Sequence, residues 1–267
     1  VSIDRSQTVI VTGASSGIGA AIVSRLRRSG RRVFATMRQP DKEKSGPDTV
    51  AMDVTSDDSI AAAVAEVLAS TGRIDAIVNN AGISKFGAVE EATSDEALSV
   101  FQTNFFGVHR LIRAVLPTMR SQRTGRIVTI GSIAGFLPEP FESFYSASKH
   151  ALEGYIESLA YEVEPFGIRT TLVQPGYIRT SLGTNTSAVA ANIDVYAKRR
   201  SHVAESSKRN IGKGTDPDAV AQAVEKAIAS RNPPLKVRVG TDAHLLYVIR
   251  HVLPPSFFSV GVRRRTG

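Results

Sequence analysis

The sequence has 267 residues, 42% apolar and 22% charged, an ordinary globular balance for one large domain. It contains no cysteine, which excludes disulfides, thiolate nucleophiles and cysteine-bound metal and fits a reducing compartment. The net charge of +8 favours anionic partners, but aromatic residues are sparse and not interleaved with basic ones, so nucleic-acid binding is not expected.

Short β-rich runs alternate with helical ones. "TVIVTG" (8–13) reads as a buried strand, and "IGAAIVSRLRRSG" (18–30) as a helix closed by glycine. "RRVFATMR" (31–38) and "TVAMDV" (49–54) are strands, with the helix 57–72 after them. "IDAIVNNAG" (74–82) is a strand entering a loop. Residues 94–120 read as one long helix that Pro117 should kink or break near its end. The strands 125–132 and 168–176 flank a helix containing "YSASK". Asp216 and Pro217 open a helix over 216–230, and 235–240 is a last strand. This alternation implies an α/β fold, a parallel sheet with helices on both faces in a single domain spanning 1–267. Residues 181–214 look irregular, an insertion over a site with room for short helices. The tail 243–267 is apolar and then basic. No apolar run reaches the length of a membrane span, and the start lacks a signal-peptide pattern.

Two local patterns carry chemistry. "TGASSGIG" (12–19) lies between the first strand and the first helix. Gly13 permits a tight turn, and Gly17 and Gly19 let backbone approach a phosphate-bearing ligand at a helix N-terminus. No Gly-Lys-Ser/Thr follows, so a nucleotide-triphosphate loop is disfavoured. Tyr145 and Lys149 stand four apart and so share a helix face, where the ammonium is expected to lower the tyrosine pKa. Ser132 ends a strand at the sheet edge where such folds place ligands. Taken singly, each is more often a packing, surface or turn residue.

Together, and in order from about residue 8 to 240, these motifs resemble the short-chain dehydrogenase/reductase family in its shorter form. The resemblance implies a Rossmann-type doubly wound sheet and a nicotinamide cofactor. It makes Asn104, Ser132, Tyr145 and Lys149 the catalytic set. It implies cofactor contacts from Gly13, Ser15, Ser16, Gly17, Ile18 and Gly19, from Asp53 and Val54 beside the adenine, and from Asn80, Ala81 and Gly82. Tyr145, Lys149, Pro175, Gly176, Ile178 and Thr180 complete the cofactor set. No metal is implied.

The second strand ends in "ATMRQP" (35–40), with Arg38 and no carboxylate, so NADP(H) is expected over NAD(H), with Arg38 on the 2′-phosphate. Asp41 and Lys42 lie just beyond, and Ser16 replaces the basic residue of many NADP-using relatives. The second strand and tail look similar to the 17β-hydroxysteroid and retinol dehydrogenase branch. A bulky apolar ketone or alcohol (steroid, retinoid or lipid-like) is therefore the expected small-molecule substrate, with Leu182 among the residues of an apolar wall. The alternatives are a 3-oxoacyl thioester on an acidic carrier protein, and a non-catalytic NADP(H) sensor. A homodimer or homotetramer is implied, through helices 94–120 and 145–164. The expected location is cytoplasmic, with the tail 243–267 packed over the pocket or a subunit interface. Peripheral membrane contact through that tail is the less favoured reading.

Overall fold

Alternation along the first strand sets the architecture. In β1 (Thr8–Thr12), Val9 and Val11 join one hydrophobic cluster and Ile10 the other, and all three are fully buried. A strand buried on both faces belongs to a sheet covered on both sides. The computed structural model describes residues 7–40, 46, 48–180, 186–252 and 254. Asp41, Lys42, Leu182 and nearly all of 253–267 lie outside them.

Six further strands join β1 in one sheet: β2 (Arg32–Met37), β3 (Thr49–Ala51), β4 (Ala76–Asn79), β6 (Gly125–Ile130), β7 (Ile168–Pro175) and β9 (Lys236–Val239). Their order is β3-β2-β1-β4-β6-β7-β9, with every pairing parallel. The chain winds outward from β1 to β3 and then restarts beside β1 at β4. That reversal opens a crevice at the carboxyl ends of β1 and β4.

Helices α2 (Asp57–Thr71), α4 (Gly107–Gln122) and α5 (Ser143–Val163) cover one face, burying Ile60, Leu111, Ile112 and Ile156 against Ile10, Ile77 and Ile127. Helices α1 (Gly17–Arg28) and α7 (Pro217–Ala229) cover the other with Ile22, Leu26, Val220 and Val224. Each such fully buried side chain contributes roughly 2 kcal/mol of transfer free energy. Local signals fix the ends. Ser56 caps α2, which Gly72 closes at φ +66°, and Asp216 caps α7 ahead of Pro217.

The stretch expected as one helix over 94–120 is helical throughout, but not uniformly α. Helix α3 (Ser94–Phe101) passes through a wider π-turn at Gln102–Phe106 into α4. Pro117 does not end α4, which runs on to Gln122. The proline removes one backbone hydrogen bond, but Leu111, Ile112, Val115 and Met119 hold that turn on the core. The irregular region 181–214 also contains more order than expected. Strand β8 (Thr186–Ala188) pairs with β5 (Ser84–Phe86), and α6 (Asp194–Gly212) follows. A last helix, α8 (Thr241–Val252), covers the end of β9.

Candidate active site

The turn after β1 is built for close approach. Gly13 has φ +63°, and a Cβ there would stand 2.9 Å from Ala81 Cα. A Cβ on Gly19 would overlap the Gly13 carbonyl oxygen. Ser16 precedes α1 without capping it through its side chain, so the first-turn amides keep their positive end toward the crevice. Thr12 Oγ1 accepts from the backbone N–H of Asn80 (2.9 Å) and Ala81 (3.0 Å), and Asn80 Nδ2 donates to the Gly13 carbonyl (3.0 Å). These bonds lock the loop after β4 to the turn. From the far side Thr180 reaches over, its Cγ2 within 3.3 Å of where a Cβ of Gly17 would stand.

The same cleft continues to the carboxyl end of β6. Gly13, Ser16, Gly17, Ile18, Gly19, Asn80, Gly82, Ser132, Tyr145, Lys149, Pro175, Gly176, Ile178 and Thr180 all line it. Six expected residues stand outside this lining. Ser15 is exposed on the turn, Ala81 backs Gly13, and Asn104 is buried beneath Gly82. Val54 turns its side chain into the core, against Gly107. Asp53 Oδ1 accepts from the Thr55 amide (2.9 Å) and hydroxyl (2.7 Å), and those bonds hold its carboxyl below the usual range. Arg38 is exposed beyond β2, and its charge adds a smaller lowering effect on Asp53.

Tyr145 and Lys149 sit one turn apart on α5, the ammonium 5.6 Å from the tyrosine ring centre. Lys149 Nζ donates to the Ile130 carbonyl at 2.8 Å, and burial pulls its pKa down to about 8. Tyr145 departs from expectation. Its pKa is raised, first by burial and then by the Glu142 charge, with Glu139 adding to it. A hydrogen bond with Ser132 acts in the opposite direction without prevailing. Desolvation and two carboxylates outweigh an ammonium that is committed to a backbone carbonyl.

Asn104 occupies the π-turn, a feature that recurs at functional sites. Its Oδ1 accepts from the Ile83 amide (2.8 Å), and its Nδ2 donates to the Ile83 carbonyl (2.9 Å) and Ser148 Oγ (3.0 Å). Ser148 Oγ in turn donates to the Tyr145 carbonyl (2.7 Å). Asn104 thus ties α5 to the loop after β4. Ser148 and Ile83 escaped the sequence reading; only the adjacency of Ser148 to Lys149 hinted at it.

Glu139 and Glu142, also unanticipated, line the outer cleft with Ser84, Tyr177, Thr186, Ser207 and Ile211. The last two belong to α6, so this helix forms part of the wall. Its anchor is Glu91, buried beneath it. That carboxylate accepts from the Ile193 amide (2.7 Å) and pairs with Arg200, which together hold its pKa down to about 2. At the base of the cleft, Asp242 of α8 accepts from the Tyr177 amide (2.6 Å) and packs against Gly176.

Comparison with known proteins agrees with this geometry. The family model for short chain dehydrogenases matches residues 7–190. A 3-ketodihydrosphingosine reductase from Bacteroides thetaiotaomicron is 39% identical over 246 residues, covering 90% of each chain. Retinol dehydrogenase 8 from Bos taurus is 34% identical, covering 94% of this chain and 87% of its own. The crystal structure of a short-chain dehydrogenase from Streptomyces avermitilis superposes with a TM-score of 0.80 at 36% identity, covering 96% of this chain and 99% of its own. Fold, cleft and sequence therefore converge: the chain belongs to the short-chain dehydrogenase/reductase family of oxidoreductases.

Proposed function

We propose that this chain is an NADP(H)-dependent reductase of lipid-like ketones or aldehydes, acting also in reverse on the alcohols. The observation that carries the reading is the meeting of Ser132, Tyr145 and Lys149 in one cleft with the glycine turn. The residues fit a nicotinamide dinucleotide. Gly19 leaves no room for a Cβ, α1 lacks a side-chain cap, and the lining runs from that turn to Tyr145. The bound cofactor supplies the hydride that reaches the carbonyl carbon.

The chain's own residues handle orientation and the proton. Tyr145 is protonated at neutral pH and serves as the acid that protonates the carbonyl oxygen. Ser132 hydrogen-bonds that oxygen and aligns it with the tyrosine. Lys149, still cationic below about pH 8, holds the ribose hydroxyls and favours the phenolate as the proton leaves. Asn104 positions both through Ser148. Arg38 takes the 2′-phosphate, while α1 faces the pyrophosphate. The lipid-like class is supported by the names of the two relatives and by the α6 wall carrying Ile211.

We place subunit contacts on α3, the π-turn before α4, and α5, where Leu98, Phe106 and Tyr161 are exposed. Among the described residues no helix is long and apolar enough to cross a membrane. The test follows NADPH consumption on a lipid ketone, retinal, a 3-oxoacyl thioester and a quinone. Turnover abolished by Tyr145→Phe supports the reading. Turnover that survives Tyr145→Phe refutes the assigned acid.

A further inference from the structure

Glu153 lies one turn beyond Lys149 on α5, half-buried and not among the residues that line the cleft. Its carboxylate is a joint between elements. Oε1 accepts from Gln174 Nε2 (2.7 Å), in β7 just ahead of Pro175 and Gly176. Oε2 pairs with Lys236 Nζ (2.9 Å) of β9, and Lys236 also pairs with Glu157, one turn further along α5. The 3₁₀ turn Ile133–Gly135 presses on the same place. A Cβ on Gly135 would stand 2.9 Å from Glu153 Oε1 and 3.1 Å from the Lys149 carbonyl oxygen. Ser132 opens that turn, its Oγ accepting from the Ala134 amide (3.1 Å). Gln174 is buried, and its Oε1 finds no partner among the described residues, so the carboxylate alone orients that amide. An apolar side chain of the same length would fill the space but leave the Gln174 donor unpaired.

One carboxylate therefore meets the helix that carries Tyr145 and Lys149, the turn that starts at Ser132, and the strand that leads to Pro175 and Gly176. The hydrogen bond between Ser132 and Tyr145 crosses between the first two of these. Its length depends on how closely α5 lies against the turn, and Glu153 sits at that contact. Resting on the reductase reading above, we propose that Glu153 is a positioning residue for the reaction: it holds α5 against the turn and so aligns the Ser132 hydroxyl with the Tyr145 proton. It acts through these two residues and touches neither substrate nor cofactor.

The test makes Glu153→Ala and Glu153→Gln in the wild type and in a Ser132→Ala background. The readout is kcat with NADPH on whichever carbonyl of the panel above the wild type reduces fastest. Glu153→Ala should lower kcat by about tenfold or more, the cost of a small misalignment at reacting groups. Glu153→Gln keeps an acceptor for Gln174 and leaves Lys236 with Glu157, so it should return kcat to within about threefold of the wild type. In the Ser132→Ala background Glu153→Ala should cost about threefold or less, because the alignment it maintains is already gone. Amide hydrogen exchange gives a second readout: it should quicken over residues 131–136 in Glu153→Ala and stay as in the wild type over β1. Should Glu153→Ala fail to fold, Gly135→Ala forces the same joint apart with Glu153 in place, and the same loss and the same non-additivity with Ser132→Ala are expected. An equal loss in both backgrounds, or unchanged exchange over 131–136, overturns the inference; if Tyr145→Phe abolishes turnover in the same assays, the reductase reading stands. Reduction of no carbonyl by the wild type removes the reductase reading and this role with it.

Discussion

Replacing Lys149 with methionine should stabilise the protein while abolishing turnover. Lys149 is 6% exposed, and burial alone takes its pKa from 10.5 to about 8. At about 1.36 kcal/mol per unit, the folded chain carries a penalty of about 3 kcal/mol for keeping that ammonium charged at pH 7. Methionine keeps an unbranched stem and removes the charge. It also removes the donor to the Ile130 carbonyl, a loss of about 1 kcal/mol. The net expectation is a gain of about 2 kcal/mol in urea unfolding at pH 7 without nucleotide. The pH dependence has a definite sign. The pKa is lower folded than unfolded, so the penalty is full below about pH 8 and relieved as pH rises toward 10.5. The variant's advantage should therefore shrink across that window. A variant less stable than wild type at pH 7, or an advantage that is flat from pH 7 to 10.5, would refute the reasoning.

Three further outcomes are expected. Arg38→Asp should lower NADPH affinity relative to NADH by about tenfold or more, since it trades a phosphate partner for a repelling carboxylate; competitive cofactor titration checks it. Glu91→Gln should loosen α6 and raise KM for long substrates, and it should lower the melting temperature at pH 7. That loss should fade in acid, because the Glu91 contribution is complete above about pH 4.5 and disappears as pH falls toward about 2. Gly19→Ala should abolish nucleotide binding in a fluorescence titration, because its Cβ overlaps the Gly13 carbonyl oxygen.

What could be read from the sequence was local. The glycine turn, the Tyr145–Lys149 spacing and the alternation in β1 each declare themselves within a few residues, because turn geometry, helix pitch and strand period are short-range properties. Asp216 and Pro217 foretold the start of α7 for the same reason. The failures were longer-range. Pro117 was given its intrinsic cost without the packing that overrides it. The π-turn at Gln102–Phe106 accompanies the tie between Asn104, Ile83 and Ser148, a tertiary demand that no helical periodicity encodes. Strands β5 and β8 are three residues each and meet only through the fold. Helix α6 buries a single residue, Val203, so its apolar stripe is too thin to announce a helix. The direction of the Tyr145 pKa is likewise illegible in the sequence, because it is set first by burial and then by the charges of Glu142 and Glu139, all tertiary properties.

The bond between Asp242 and the Tyr177 amide has a consequence for engineering. It makes the loop after β7 and the start of α8 one mechanical unit, although they are distant in sequence. A graft of residues 176–180 from a relative would import a loop shaped against a different support. Exchanged alone, it would keep that brace only with a glycine at 176 and a backbone N–H at 177 aimed at Asp242. Exchanged together with 240–242, it would keep it, so the transplantable module is the pair.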